Sequence, residues 1–223
     1  MRPPYQRLPA AERMVKLQIE QRDIRDQRLL EAMRRVPRHL FAPRAERNSA
    51  YEDHPVSIGR RQTMSQPYMV AVMTQALELR GPERVLEVGT GSGYQAAVLA
   101  ELCSAVFSVE RIPQLAESAR LTLAELGFAN VQVRAGDGSE GWPEEAPFDR
   151  IIVTAAAPTV PEALCRQLAD NGILVLPVGP MEQAQELVIA RRTGSAMSYE
   201  RAIGCRFVPL IGRWGFTETG PRS

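Results

Sequence analysis

The sequence predicts a doubly wound α/β fold: a mostly parallel sheet, helices ahead of it, and antiparallel strands at its C-terminal end. Three observations predict it. Short apolar runs alternate with helical patterns from residue 84 onward. The first run ends in an acidic residue and a glycine turn, Glu87-Val88-Gly89-Thr90-Gly91-Ser92-Gly93. The next two runs lead to acidic residues, Glu110 and Asp137.

Each element follows in order. Residues 1–10 are rich in proline and are expected to fray. A helix is expected over 11–21, with Met14, Val15, Leu17 and Ile19 as apolar candidates. A second starts near Asp26 as N-cap, carries Leu29, Leu30, Met33 and Val36, and stops at Pro37. Residues 38–64 read as irregular, broken by Pro43 and Pro55. Ser65-Gln66-Pro67 then offers a capping residue and a first-turn proline for a helix that Gly81-Pro82 ends. Strands are expected over 84–88, 105–109, 131–134, 149–154, 172–177 and 185–191, with a last one near 201–208. Helices are expected over 94–103, 113–126 and 161–169. The organisation reads as one globular unit, residues 1–80 forming a helical segment and loop packed on a core of residues 81–223.

Composition narrows the function classes. The chain has 223 residues, 44% of them hydrophobic, which is enough for a sizeable core. Lys+Arg 27 against Asp+Glu 26 leaves a net charge of +1, without a global nucleic-acid footprint. The arginines of the first 40 residues alternate with acids and read as a solvated helix face. Cys103, Cys165 and Cys205 are odd in number and far apart, which suits a reducing cytoplasm better than a disulfide framework. His39 and His54 have no metal-ligand spacing. No signal-peptide pattern and no run of about 18 apolar residues stands out. The expectation is a cytoplasmic monomer with no metal, no nucleic acid and no membrane partner.

The glycine turn carries the first chemical information. A dinucleotide fingerprint, G-x-G-x-x-G, would place its third glycine at position 94, where Tyr94 stands. The loop therefore fits a nucleotide-like ligand without a pyrophosphate, and S-adenosylmethionine is such a ligand. Ligands of open α/β sheets bind beyond the carboxyl ends of the strands. There Glu110 is placed to accept ribose hydroxyls, and Asp137 of Gly136-Asp137-Gly138 to accept from an adenine amine. Taken singly, a surface glutamate or an Asp-Gly turn would explain either residue. Their joint order favours the nucleotide crevice.

With these motifs the chain resembles the protein-L-isoaspartate O-methyltransferases. More specific to the resemblance are Gln62-Thr63-Met64-Ser65-Gln66-Pro67-Tyr68-Met69, Ala146-Pro147-Phe148-Asp149, Thr154-Ala155-Ala156-Ala157-Pro158 and Gly172-Ile173-Leu174-Val175-Leu176-Pro177-Val178-Gly179. It runs from Arg35-Val36-Pro37-Arg38 to Phe207-Val208-Pro209-Leu210. The resemblance implies a Rossmann-like methyltransferase sheet and S-adenosylmethionine as cofactor. The implied activity is methyl transfer to the free α-carboxylate of isoaspartyl residues in damaged proteins and peptides. It implies Ser65 as the active-site residue. Glu87, Gly89, Thr90, Gly91, Ser92, Gly93, Glu110, Arg111, Asp137 and Gly138 are the expected cofactor-binding residues, with Thr63, Gln66 and Thr154 on the substrate side. Ser65 also reads as a plain N-cap, and His54 and Trp142 as a surface residue and a packing residue. The chain departs from the family at Arg60-Arg61, where glycine is usual, and over residues 211–216. These departures keep open the same fold acting on another substrate; an idle scaffold is a third reading, against which the intact set of Glu87, Gly89, Gly91, Gly93, Glu110 and Asp137 argues.

Overall fold

The computed structural model describes residues 8–181 and 183–218. Residues 1–7 of the stretch expected to fray lie outside the described residues, and α1 (Pro9–Met14) begins directly after them. It continues as a π-helical turn, Val15–Ile19, that buries Val15 and Ile19 but leaves Leu17 exposed. In α2 (Gln27–Arg35) Asp26 is the N-cap, accepting from the Arg28 and Leu29 amides at 2.9 and 3.3 Å.

The segment expected to be irregular holds a small antiparallel hairpin, β1 (Val56–Gly59) and β2 (Gln62–Met64). Its two-residue turn is Arg60-Arg61, with φ of 52° and 58°. The helix that follows is α3 (Pro67–Ala76), and Pro67 at its first position fixes the start. Its N-cap is Gln66, without a side-chain cap bond, so Ser65 stands one residue outside and is not the cap.

The core alternates as expected: β3 (Arg84–Val88), α4 (Tyr94–Ala100), β4 (Ala105–Glu110), α5 (Pro113–Glu125), β5 (Val131–Ala135), β6 (Phe148–Val153), α6 (Glu162–Gln167), β7 (Leu168–Val178), β8 (Gln185–Thr193) and β9 (Ala196–Cys205). They form one seven-stranded sheet in the order β5-β4-β3-β6-β7-β8-β9. The pairs from β5 through β7 are parallel, and β7-β8 and β8-β9 are antiparallel. Helices cover both faces of the central strands, which explains their unbroken apolar runs. Val85 and Ile152 face a core shared with α2, α3 and α4, whereas Leu86, Phe107, Ile151 and Leu174 face a second core with Leu164 of α6. β7 starts earlier than expected because Leu168 already pairs with Phe148, and residues 169–172 are absorbed as an irregularity in the ladder. The last strand ends at Cys205 rather than 208.

What this architecture positions is the edge where the chain changes direction. β3 lies between β4 and β6: the chain steps outward from β3 to β4 and β5, then returns to add β6 on the other side of β3. A crevice opens at such a point, beyond the carboxyl ends.

Candidate active site

Two clefts meet at that crevice. The first, of about 410 Å³, is lined by Gly89, Gly91, Glu110, Arg111, Gly138 and Thr154 from the strand ends, by Arg60 to Thr63 of the hairpin, and by residues 208–211. The second, of about 550 Å³, is lined by Ser65, Gln66, Tyr68, Met69 and residues 203–209. Thr63, Thr154, Val208 and Pro209 line both. A small cavity of about 40 Å³ lies between Ser65 and the glycine loop, touching Thr90, Ser92 and Tyr94.

The glycine loop has its shape for steric reasons. Gly89 has φ +96°, and a Cβ there would fall 2.4 Å from Thr154 Oγ1. That hydroxyl donates to the Gly89 carbonyl at 2.7 Å, tying the tips of β3 and β6 together. Gly93, the N-cap of α4, instead lets the loop approach α5, where a Cβ would meet Ala119 and Leu123 at 3.3 Å. Its contribution is to packing, and it does not line the first cleft.

Each acidic residue has a distinct setting. Glu110 is nearly buried, and its two oxygens accept from the Gly91 and Ile112 amides, both at 2.9 Å. Each oxygen keeps a lone pair for a further donor. Asp137 is largely committed: Oδ1 accepts from the Ser139 amide and hydroxyl at 2.9 and 2.7 Å, and Oδ2 from the Arg213 amide at 2.8 Å. One acceptor site on Oδ2 is left, although Asp137 is not among the residues that line either cleft. Arg111 lines the first cleft and is paired with Glu218 at 3.3 Å.

Glu87 sits beneath the cleft floor, fully buried. Ser108 donates to its Oε2, and Thr90 bonds to the Ser108 hydroxyl at 2.6 Å, which links the glycine loop to the interior. Oε1 has no partner among the described residues. Burial, opposed by the Ser108 bond and reinforced by the nearby Glu110 charge, pushes the Glu87 carboxyl up to about 8. The folded chain therefore retains this proton where the unfolded chain loses it. Stability from this group is fullest below its ordinary value of 4.5 and is lost as pH rises from there toward about 8. Glu87→Gln, which imitates the neutral carboxyl, is expected to match the parent closely at pH 4.5 and to exceed it at pH 8 by a few kcal/mol, since each pKa unit is worth about 1.4 kcal/mol. Urea unfolding at the two values checks this, and a constant difference would mean that Glu87 ionises normally.

The second cleft is organised from behind by an arginine absent from the site residues expected from sequence. Arg38 is 0% exposed. Its Nε donates to the Ala50 carbonyl at 2.6 Å and its Nη2 to the Ser65 carbonyl at 2.7 Å, and the guanidinium lies 4.6 Å above the Tyr94 ring. Sequence marked it only as a charged residue after Pro37; nothing local distinguishes it from a solvated arginine. Gln66 donates to Asp53 at 2.8 Å, and Asp53 also pairs with Arg22 at 2.9 Å, so this side of the cleft is held by a charge network. His39 bonds Tyr51 and His54 bonds Glu52; neither histidine lines either cleft. Trp142 packs edge-on against Phe107 at 5.7 Å. Residues 203–211 are not marked as a site by the sequence, because long-range contacts bring them over the strand ends: the Ala156–Pro209 bridge and the bond from the Phe207 amide to Gln185.

A family model described as protein-L-isoaspartate(D-aspartate) O-methyltransferase matches residues 10–215. The chain belongs to this family. It is 56% identical over 207 residues to protein-L-isoaspartate O-methyltransferase 1 of Syntrophobacter fumaroxidans, covering 93% of this chain and 96% of that one. It is 53% identical to the enzyme of the same name from Geobacter metallireducens, with the same coverage. A solved structure named protein-L-isoaspartate O-methyltransferase superposes with a TM-score of 0.83 at 27% identity, over 92% of this chain and 67% of that one. Family membership thus rests on nearly the whole chain, including residues 211–215 within the segment that sequence reading left unassigned.

Proposed function

We propose that the chain methylates the free α-carboxylate of L-isoaspartyl residues in damaged proteins and peptides, with S-adenosylmethionine bound in the first cleft and the isoaspartyl segment in the second. The observation that carries this is the shared wall: Thr63 and Thr154 border both clefts, so two ligands would meet there. Relatives at 56% and 53% identity carry the name of this activity.

The residues present suit the cofactor. Glu110 keeps acceptor capacity for ribose hydroxyls, and one site on Asp137 Oδ2 serves an adenine amine. When bound, S-adenosylmethionine supplies a methyl group on a sulfonium, already an activated electrophile. The chain's task is then positional. An α-carboxyl with a reference pKa near 3.5 is ionised at pH 7, so no general base is needed. The absence of both histidines from the cleft linings agrees with that chemistry and argues against a covalent serine. The Ser65 hydroxyl, at the inner end of the second cleft, donates to the substrate carboxylate and orients one oxygen. Holding reacting groups in line is worth up to about 7–11 kcal/mol. The neighbouring backbone nitrogen then attacks the ester carbonyl, gives up its proton and expels methanol to close a succinimide, whose hydrolysis returns some normal aspartate.

The same reading makes the chain a cytoplasmic monomer built as one unit, residues 1–80 lying on residues 81–223. Three free cysteines support the compartment, and the core that joins α2 and α3 to one face of the sheet supports the single unit. Among the described residues no helix is long and apolar enough to cross a membrane.

A matched pair of peptides tests the activity. Labelled methyl should pass to the isoaspartyl peptide and not to its aspartyl twin; equal labelling would remove the assigned specificity. Ser65→Ala should lower turnover about tenfold, the worth of one hydrogen bond to a charged group, with cofactor affinity unchanged. Lost affinity with intact turnover would reverse the role given to Ser65.

A further inference from the structure

The two clefts are unevenly charged. Arg60, Arg61 and Arg111 line the first against Glu110 and Glu218, and Arg22 and Arg206 line the second without a carboxylate among its walls. Five arginines therefore face two glutamates on this surface, in a chain whose net charge is only +1. Arg111 and Arg22 are already engaged by Glu218 and Asp53. Arg60 and Arg61 form no salt bridge among the described residues, and both are exposed.

Their backbone makes the pair more informative. Both residues of the hairpin turn have positive φ, 52° and 58°, a pattern that favours Asn-Gly. A non-glycine residue in this region carries strain. The turn thus holds two arginines where the local chemistry would select others, and it holds them over the cofactor cleft. The cofactor gives no reason for this. S-adenosylmethionine has no phosphate, and its sulfonium and ammonium outnumber its single carboxylate, so two further cations are on balance repelled by it. Arg60, Arg61, Gln62 and Thr63 line the first cleft consecutively, and Thr63 lines both clefts. The charges therefore stand beside the path of the polypeptide that enters the second cleft.

We propose that Arg60 and Arg61 are specificity-determining residues, selecting isoaspartyl segments that carry acidic side chains near the damaged residue. The inference rests on the activity proposed above. It adds that the substrate field is anionic beyond the α-carboxylate that receives the methyl group.

The test compares kcat/KM for three isoaspartyl peptides of equal length with acidic, neutral or basic flanks, at 50 mM and 0.5 M salt (concentrations set by the roughly 14 Å and 4 Å screening lengths they give). The parent should prefer the acidic over the basic peptide about tenfold at low salt and within about twofold at high salt. Arg60→Asn/Arg61→Gly, a pair that suits this turn, should flatten the low-salt preference. Arg60→Asp/Arg61→Gly, with the same turn chemistry and reversed charge, should favour the basic peptide. Thermal melting of both variants at or above the parent value would show that the turn is intact. A parent that methylates all three peptides equally at low salt overturns this inference and leaves the activity standing. So does a preference that both variants retain. A parent that methylates none of them, while binding the cofactor, removes the activity and this inference together.

Discussion

Gly89→Ala is expected to weaken cofactor binding about a hundredfold. The new Cβ would lie 2.4 Å from Thr154 Oγ1 on a backbone with φ +96°. Left-handed backbone costs an L-residue about 1–2 kcal/mol. Displacing Thr154 would also break its bonds to the Val88 and Gly89 carbonyls, 3.1 and 2.7 Å, at about 1 kcal/mol net. A total near 3 kcal/mol corresponds to about two orders of magnitude in affinity if it falls on the ligand-ready loop. Calorimetric titration with S-adenosylmethionine measures it. Gly89→Ala combined with Thr154→Ala should recover part of the loss, because the steric conflict belongs to the pair. Binding within threefold of the parent in Gly89→Ala would mean that the loop accommodates the methyl group and that the β3–β6 tie does not shape the cleft.

Arg38→Met is expected to destabilise the fold by about 3 kcal/mol. Methionine can occupy much of the volume but donates to neither carbonyl, and the Ala50 and Ser65 carbonyls would each lose a buried donor. An unsatisfied buried acceptor costs about 1–3 kcal/mol. The guanidinium is itself desolvated, and burial lowers its pKa, so part of the loss is offset by removing a buried charge. Arg38→Lys keeps that charge while its single nitrogen serves at most one carbonyl well. It should therefore fall between parent and methionine. Urea unfolding of the three proteins gives the order, and a methionine variant as stable as the parent would show that solvent or relaxation satisfies both carbonyls.

The sheet was legible because its signals are local. Val85, Leu86 and Val88, Val106, Phe107 and Val109, and Ile151 to Val153 are all buried; the first run stops at the glycine loop, and the other two at Glu110 and Thr154, which line the crevice. The glycine loop, Glu110 and Thr154 were found at one place for the same reason. The hairpin was not legible. Its strands have four and three residues, too few for a period of two to stand out, and its turn lacks the Asn-Gly signature. Ser65 was misread as a cap because Ser before Pro is a strong start signal; Pro67 fixes the first turn, and Gln66 takes the boundary. Arg38 and residues 203–211 could not be found by any local rule. Their placement depends on carbonyls and bridges contributed by segments far away in sequence.

The partition formed by Thr63, Thr154, Val208 and Pro209 has a thermodynamic corollary. Occupants on its two sides press on the same atoms, so the free energy of seating one depends on whether the other is in place. Such a dependence is mutual: whatever factor a peptide imposes on retention of the methyl donor, the donor must impose on the peptide. An inhibitor filling only one chamber would then alter occupancy of its neighbour, without touching the ligand held there.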